Sequence, residues 1–427
     1  MLDIRLIKEN PEEIKARLEA KGRDCSEEID RILELDAKRR DLIHDGEQLK
    51  ARQNKASKEI PARKKAGEDV APLLAEMKTI SDEIKASDAA LKDVDAEWRT
   101  LMLALPNLPD PDLKPGGKEN NEPLCYYGEP HKFDFEPKNH VDLCTSLGLI
   151  DYERGVKLAG NGYWLYTDLG AQLEWALLNY FITTHIKDGY TFMLPPHILT
   201  YECGYTAGQF PKFKEDVYRV STGDDSFHFL LPTAETALIN LYRGEILEEK
   251  DLPKRMFAYT PCYRSEAGTY RASERGMIRG HQFNKVEMFG YTRPEDSDAM
   301  LKELIGKACA LVEGLGLHYR LSKLAAGDCS ASMATTYDIE LWIPSMNEYK
   351  ECSSVSNAHE YQARRGNIRF RRADSKKTEY LHTLNGSGLA TSRVIPAIVE
   401  QYQQADGSVV VPEVLRPFLG VDVLRKK

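Results

Sequence analysis

No apolar stretch in the chain approaches the roughly 18 residues that a membrane span requires, so no spanning helix is expected. The opening segment, MLDIRLIKENPEEIKARLEAKG, is too charged to hold a signal-peptide apolar region, and the expected location is the cytoplasm. The eight cysteines, at 25, 125, 144, 203, 262, 309, 329 and 352, form no CxxC pair, and no histidine stands near them at zinc-ligand spacing. Reduced, mostly buried thiols are therefore expected, with no zinc site. Basic charge is also short: 58 Lys and Arg face 67 Asp and Glu, a formal net charge of −9. That sign argues against a surface that is basic all over, but a local basic strip can still bind nucleic acid. There is no internal repeat. What remains is a composition with 42% hydrophobic and 29% charged residues, typical of a globular protein with charged surface helices. At 427 residues it suffices for one large domain and a smaller module.

The smaller module has its own grammar. Met77, Ile80, Ile84, Ser87, Leu91, Val94, Trp98, Leu101 and Leu105 alternate three and four residues apart, a heptad seam of about four repeats. Ile32, Leu35, Leu42 and Leu49 keep the same phase earlier, with polar residues at alternate seam positions. Pro61, Gly67 and Pro72 lie between the two runs and are expected to end one helix and start the next. The spacing predicts an antiparallel helical hairpin with arms of about 30 residues, roughly 45 Å each. Such seams commonly oligomerise or space domains. The charge is uneven, however: from Lys38 to Lys65 ten Lys/Arg face four Asp/Glu, and from Glu68 to Glu97 three Lys face nine acids. A long arm with one basic side suits a phosphate backbone better than symmetric self-pairing. The Pro- and Gly-rich run 105–117 then reads as a linker.

Beyond the linker, about 310 residues of short strands, aromatics and turns form one larger α/β-type core. The segment 256–292 reads as two strands joined by a charged loop. Arg264 and Glu266 share parity on the first strand, and Phe283, Lys285 and Glu287 share parity on the second, with Val286 and Met288 opposite. If the strands pair, one face carries an arginine, carboxylates and an aromatic ring. A solvated sheet face can look like this. So can a nucleotide site, where guanidinium grips phosphate, a ring stacks on a base and a carboxylate holds an ammonium.

The strings themselves are more specific. YRSEAG and RGMIRGHQFNKVEM resemble motif 2 of the class II aminoacyl-tRNA synthetases, in the seryl-tRNA synthetase version. LPTAETALINL (231–241) is similar to that family's serine-binding loop, YKECSSVSN (349–357) to its ATP and magnesium segment, and HTLNGSGLATSR (382–393) to motif 3. GYTFMLPPHILT (189–200) is similar to motif 1, which builds the class II dimer interface. The hairpin and the PEVLRPFLG tail also agree, so the resemblance spans nearly the whole chain. No GxGxxG or GxxxxGK[ST] loop competes with it.

The resemblance implies an α+β fold: an antiparallel sheet flanked by helices, with an N-terminal helical hairpin. It divides the chain into a tRNA-binding coiled-coil domain over 1–112 and a catalytic domain with the dimer interface over 113–427. The implied activity is serine–tRNA ligation: serine is activated with ATP to seryl-adenylate, then passed to the 3′ end of tRNA(Ser), and in the family to tRNA(Sec) also. Arg264, Glu287 and Arg393 are the implied catalytic residues. Thr233, Ala234, Glu235, Asn385 and Ser387, with Arg264 and Glu287, would receive serine. Ser265, Glu266, Gly280, His281, Gln282, Phe283, Cys352 and Ser353 would join Arg264, Arg393, Glu351 and Ser354 around ATP. Glu351 and Ser354 would hold Mg²⁺, a hard ion suited to oxygen ligands. The arm and the motif 2 loop would contact tRNA, and the enzyme would be a homodimer without membrane association. Positioning and relief of crowded charge, rather than a general base, are what the first step needs, because the attacking carboxylate is already ionised.

Some wording departs from the family's. Arg271, Ala272, Ser273 and Glu274 replace the usual residues of the motif 2 loop, Cys352 stands where an apolar residue is commoner, and Gly162-Tyr-Trp164 and Gln172-Leu-Glu-Trp175 also differ. Two other readings stay open. One is a ligase that passes serine to a carrier, which would have little use for the arm. The other is a non-catalytic tRNA-binding paralogue, which would be expected to have lost the charged residues present here.

Overall fold

The computed structural model describes residues 1–265 and 276–426, which fall into two compact units. One comprises Leu2–Glu19 and Arg23–Pro106. Its long helices, α1 (Ser26–Lys65) and α2 (Ala71–Ala104), pack antiparallel along the heptad seam. On α2 every seam position from Met77 to Leu101 is buried or half-buried while its neighbours are mostly exposed. On α1 the seam runs through Ile32, Leu35, Arg39, Leu42, Gly46, Leu49, Gln53 and Ala56. Small residues at Gly46 and Ala56 let the helices approach, and Arg39 lies 4.5 Å over the Trp98 ring. The arms are longer than the periodicity predicts, 40 and 34 residues, or about 60 and 50 Å.

Pro61 does not end the first helix, which continues through it to Lys65. The position is solvent-exposed and one turn from the end, so the missing N–H frees a carbonyl that water can satisfy. Gly67, at φ +76°, makes the reversal instead, and Pro72 enters the first turn of α2, where no N–H is needed.

The other unit contains Asn107–Lys427 and is built on one eight-stranded sheet. Its strands are β1 (Glu122–Tyr127), β2 (Thr191–Met193), β3 (Lys254–Tyr263), β4 (Gln282–Thr292), β5 (Tyr319–Lys323), β6 (Thr335–Ile343), β7 (Glu348–Asn357) and β8 (His382–Ala390). Their order is β1-β5-β6-β7-β8-β4-β3-β2, antiparallel throughout except for the parallel pair β2·β3. Helices α3 (Leu169–Lys187), α4 (Ser297–Gly314) and α5 (Thr391–Gln401) cover one face, where Val286, Met288, Ile339, Val355 and Leu384 join the main apolar core. Antiparallel strands can leave their other face open, and here that face carries the charged residues.

One buried carboxylate ties three of these elements together. Glu174 of α3 accepts hydrogen bonds from Asn284 of β4 (2.7 Å) and Thr391 of α5 (2.6 Å). Burial raises its pKa. The segment Gln172–Trp175 that departs from the family wording thus grips both strand β4 and the start of the helix that carries Arg393.

Candidate active site

Strands β3 and β4 pair in register from Tyr263↔Gln282 to Lys254↔Tyr291, so Phe283, Lys285 and Glu287 lie in a row on the open face. Further along β4 the same row becomes apolar, with Phe289 and Tyr291 fully buried beneath the turn that begins at Glu235. The Tyr291 hydroxyl donates to Leu238 O at 2.5 Å and fixes that turn. The turn in turn holds Thr233 and Glu235 over Glu287. Lys285 Nζ donates to Thr233 Oγ1 (2.9 Å) and pairs with Glu287, and the Thr233 and Ser387 hydroxyls reach Glu287 Oε2 at 3.4 and 3.5 Å. Lys285, Glu287, Thr233, Asn385 and Ser387 are all at least nine-tenths buried, so the cluster forms a desolvated polar floor. Ala234 is fully buried behind it. Glu235 accepts from Gln362 Nε2 at 2.7 Å. Burial, and then the charge of Glu287, push its pKa up to about 7.

Glu351 and Ser354 are three residues apart on β7, a spacing that plain strand alternation would put on opposite faces. The register solves this. Ile339 pairs with Ser353 but Glu340 pairs with Glu351, so Cys352 has no opposite residue and the strand carries a bulge. The extra residue returns Glu351 to the face of Ser354 and Ser356. Cys352 turns into the apolar core, its thiol donating to Ile339 O at 3.4 Å, and Ser353 turns its hydroxyl onto Ser387 O at 2.6 Å, outside the main cavity lining.

Asp338 stands directly across from Ser354 on β6. Its Oδ1 is buried without a hydrogen-bond partner, and burial followed by the nearby charge of Glu351 raises its pKa well above the carboxylate range. Its neighbour Glu340 is already occupied by Arg320 (2.8 and 3.1 Å) and the Ser322 hydroxyl (2.6 Å). Asp338 and Lys285 are the site residues that sequence reasoning did not assign. Lys285 was visible in the strand parity, whereas Asp338 sits in an alternation that reads like any half-solvated strand.

Arg264 follows the end of β3, with its guanidinium 5.2 Å from the Phe283 ring. Its backbone N–H donates to His281 O, and Ser265 Oγ donates to Asp216 O at 2.8 Å. His281 and Gly280 rest on the Gly162-Tyr-Trp164 segment: His281 packs on Tyr163 at 5.3 Å, and a Cβ on Gly280 would lie 2.1 Å from the Trp164 ring. Gly280 therefore serves this close approach to the Trp164 ring. Gln282 is exposed at the rim, Arg393 donates to Glu351 O at 3.1 Å, and Arg279 joins the lining. Glu266 and the altered loop residues Arg271, Ala272, Ser273 and Glu274 lie outside the described residues.

The open face thus encloses a cavity of about 1040 Å³ that holds Thr233, Glu235, Glu287, Asp338, Glu351 and Arg393 together with Arg264. A small slot of about 60 Å³ runs beneath Phe283, Gly280 and Ala390. An arginine beside an aromatic slot, a basin of carboxylates and a desolvated polar floor suit a nucleoside triphosphate and a small polar zwitterion.

Comparison with known proteins agrees in both units. Residues 1–109 match the seryl-tRNA synthetase N-terminal domain, and residues 218–402 match the tRNA synthetase class II core domain (G, H, P, S and T). Serine–tRNA ligase 2 of Clostridium acetobutylicum is 62% identical over 99% of this chain and 100% of its own. The chain belongs to the seryl-tRNA synthetases. The serine–tRNA ligase of Clostridium tetani is 44% identical over 98% of this chain and 99% of its own. The seryl-tRNA synthetase of Pyrococcus horikoshii, solved with ATP, superposes with a TM-score of 0.94 at 34% identity over the full length of both chains. This synthetase accordingly activates serine and charges tRNA with it. The carrier-ligase and non-catalytic readings find no support among these relatives. No helix among the described residues of the synthetase is long and apolar enough to cross a membrane.

Proposed function

We propose a division of roles on this face, carried by one observation: Arg264 stands where the slot, the basin and the polar floor meet. Adenine stacks on Phe283 in the slot, flanked by Gly280, His281 and Gln282. Serine lies on the floor, with its ammonium toward Thr233 and Glu235 and its hydroxyl toward Glu287, Asn385 and Ser387. Arg264 then bridges the serine carboxylate and the α-phosphate, holding two anions in reacting contact, and Arg393 takes the γ-phosphate. Attack of the carboxylate oxygen on the α-phosphorus expels pyrophosphate. A floor of buried hydrogen-bonding groups rejects alanine strongly, because its partners would be left unpaired.

The donor set fits Mg²⁺. Glu351, Ser354 and the unpartnered Asp338 oxygen supply hard ligands, and a cation is what two neighbouring carboxylates beside a polyphosphate require. When bound, the ion would offset phosphate charge. Residues 1–112 serve as the tRNA module and 113–427 as the catalytic module, working in the cytoplasm. Dimerisation through the motif 1 region is supported by the open edge of β2 and by Trp175, Leu194 and Ile198, which are 54%, 71% and 49% exposed.

The direct test is ATP–pyrophosphate exchange with serine, threonine and alanine, followed by charging of tRNA in the same samples. Serine-dependent exchange with serine esterified to tRNA is the expected result, and exchange without charging would overturn the tRNA assignment. The same assay at varied pH tests Glu235. Below about pH 7 in the free enzyme this carboxyl is protonated and loses its attraction for the ammonium, which stays charged throughout. The expected kcat/KM for serine therefore falls toward tenfold per unit below that point. Glu235→Gln should lower it and remove that inflection. A profile unchanged by the substitution would show that another group controls it.

A further inference from the structure

Serine is gripped at two ends of the polar floor, by its ammonium and by its hydroxyl, and these ends need a fixed separation. The hydroxyl end lies over Asn385 and Ser387 of β8, and Thr383 shares their parity on that strand. Thr383 is fully buried, and its hydroxyl donates to Gln362 Oε1 at 2.8 Å. Gln362, on the short helix Tyr361–Gly366, is fully buried as well. Its Nε2 donates to Glu235 Oε1 at 2.7 Å and to Ala207 O at 3.1 Å. A backbone carbonyl can only accept, so Ala207 keeps Nε2 on its side and turns Oε1 toward Thr383. The amide is thus locked in one orientation, with an N–H committed to Glu235. Thr383 is itself fixed: its N–H donates to His359 O (3.1 Å), and its carbonyl accepts from the Ala358 N–H (2.9 Å). One strand therefore registers both ends of the floor, Asn385 and Ser387 directly and Glu235 through Thr383 and Gln362.

We propose that Gln362, oriented by Thr383, is a positioning residue for serine activation that aims the Glu235 carboxylate at the substrate ammonium. An N–H donor also favours the charged form of a carboxylate, which is the form that attracts an ammonium. Charged groups face Glu235 from other elements too: Glu287 and Lys285 of β4, with Arg264 and Arg279 at the rim. Burial, then the charge of Glu287, raise the Glu235 pKa to about 7. The Gln362 hydrogen bond is the largest influence in the opposite direction, ahead of Lys285 and Arg264. Removing that donor alone therefore moves the titration further up. The inference rests on serine placing its ammonium at Glu235, as proposed above.

Gln362→Met keeps the length of the side chain and removes the donor. The measurement is ATP–pyrophosphate exchange across about pH 6–9, with serine and ATP varied separately. At pH 7 kcat/KM for serine should fall about tenfold, while KM for ATP stays within about twofold. The inflection near pH 7 should rise by about one unit, so the loss narrows as the pH increases. Thr383→Val, which removes only the orienting hydroxyl, should shift the inflection the same way by less, and Thr383→Ser should restore it. An inflection unmoved in Gln362→Met, or equal losses against serine and ATP, would overturn the assignment. If denaturant unfolding shows that Gln362→Met does not fold, the Thr383 pair decides. A shifted Thr383→Val with an unshifted Thr383→Ser then supports the assignment, and any other pattern overturns it. A parental inflection that Glu235→Gln leaves in place would instead overturn the role of Glu235 on which the inference rests.

Discussion

Glu287→Gln lowers kcat/KM for serine about a thousandfold, with KM for ATP nearly unchanged. The carboxylate is buried among Lys285, Thr233 and Ser387, and a site built around a hydroxyl partner discriminates by factors up to about 10⁴–10⁵ when that pairing fails. The amide keeps the shape but not the charge, so Lys285 loses its counter-ion. Glu287→Ala goes further and destabilises the fold by about 3–5 kcal/mol, since a buried ammonium keeps only the Thr233 hydroxyl and is left without a counter-ion. A double variant, Glu287→Ala with Lys285→Met, should recover most of that stability but none of the activity. Exchange kinetics with serine and with ATP varied separately, together with denaturant unfolding, check both parts. Equal losses against serine and ATP would show that Glu287 acts on the whole cavity rather than on serine.

The arm should show its binding charge in a similarly divided way. Several of its basic residues are already engaged across the hairpin: Arg31 with Glu97 at 2.7 Å, Arg39 with Asp95, Lys50 with Asp88 at 3.1 Å and Arg52 with Glu76 at 3.3 Å. Lys55, Lys58, Lys64 and Lys65 are exposed and make no ion pair among the described residues. Neutralising these four to alanine is expected to weaken tRNA binding at least about a hundredfold at 0.15 M salt. It should also reduce the slope of log K against log[salt] by about 3.6, since each phosphate left without its lysine removes about 0.9. Neutralising Arg39, Lys50 and Arg52 should change the slope by less than about 1, because those charges are already compensated. Pyrophosphate exchange without tRNA should be unaffected by either set. Identical slopes for the two sets would show that the ion pairs across the hairpin open on binding.

What could be read from the sequence followed what is periodic. The heptad seam from Met77 to Leu101 survives position by position, because two helices with no deep core have nowhere else to bury apolar side chains. The parity of Phe283, Lys285 and Glu287, against Val286 and Met288, survives because β4 pairs with β3 without a shift, and the irregularity in its pairing with β8 places the extra residue on β8. What periodicity could not supply, even where the resemblance named the residue, depends on breaks in period or on distant partners. Glu351 and Ser354 share a face only through an irregularity that their own spacing does not disclose without the partner strand. Asp338 gains meaning only opposite Ser354, and Gly280 only against Trp164. Pro61, a helix breaker by its chemistry, is tolerated because it lies near a solvated end.

The unopposed residue in β7 also bears on which changes of chain length this protein can absorb. Losing a single residue between Glu351 and Ser354 would remove the bulge and leave both on one face by plain alternation, but it would take out a side chain that the interior uses, the Cys352 thiol on Ile339 O or the Ser353 hydroxyl on Ser387 O. Surface loops such as 221–226 can lose or gain a residue with little change in closure entropy. Drift in length among relatives should therefore accumulate in such loops and stop short of these four positions, where a lost residue takes an interior hydrogen bond with it.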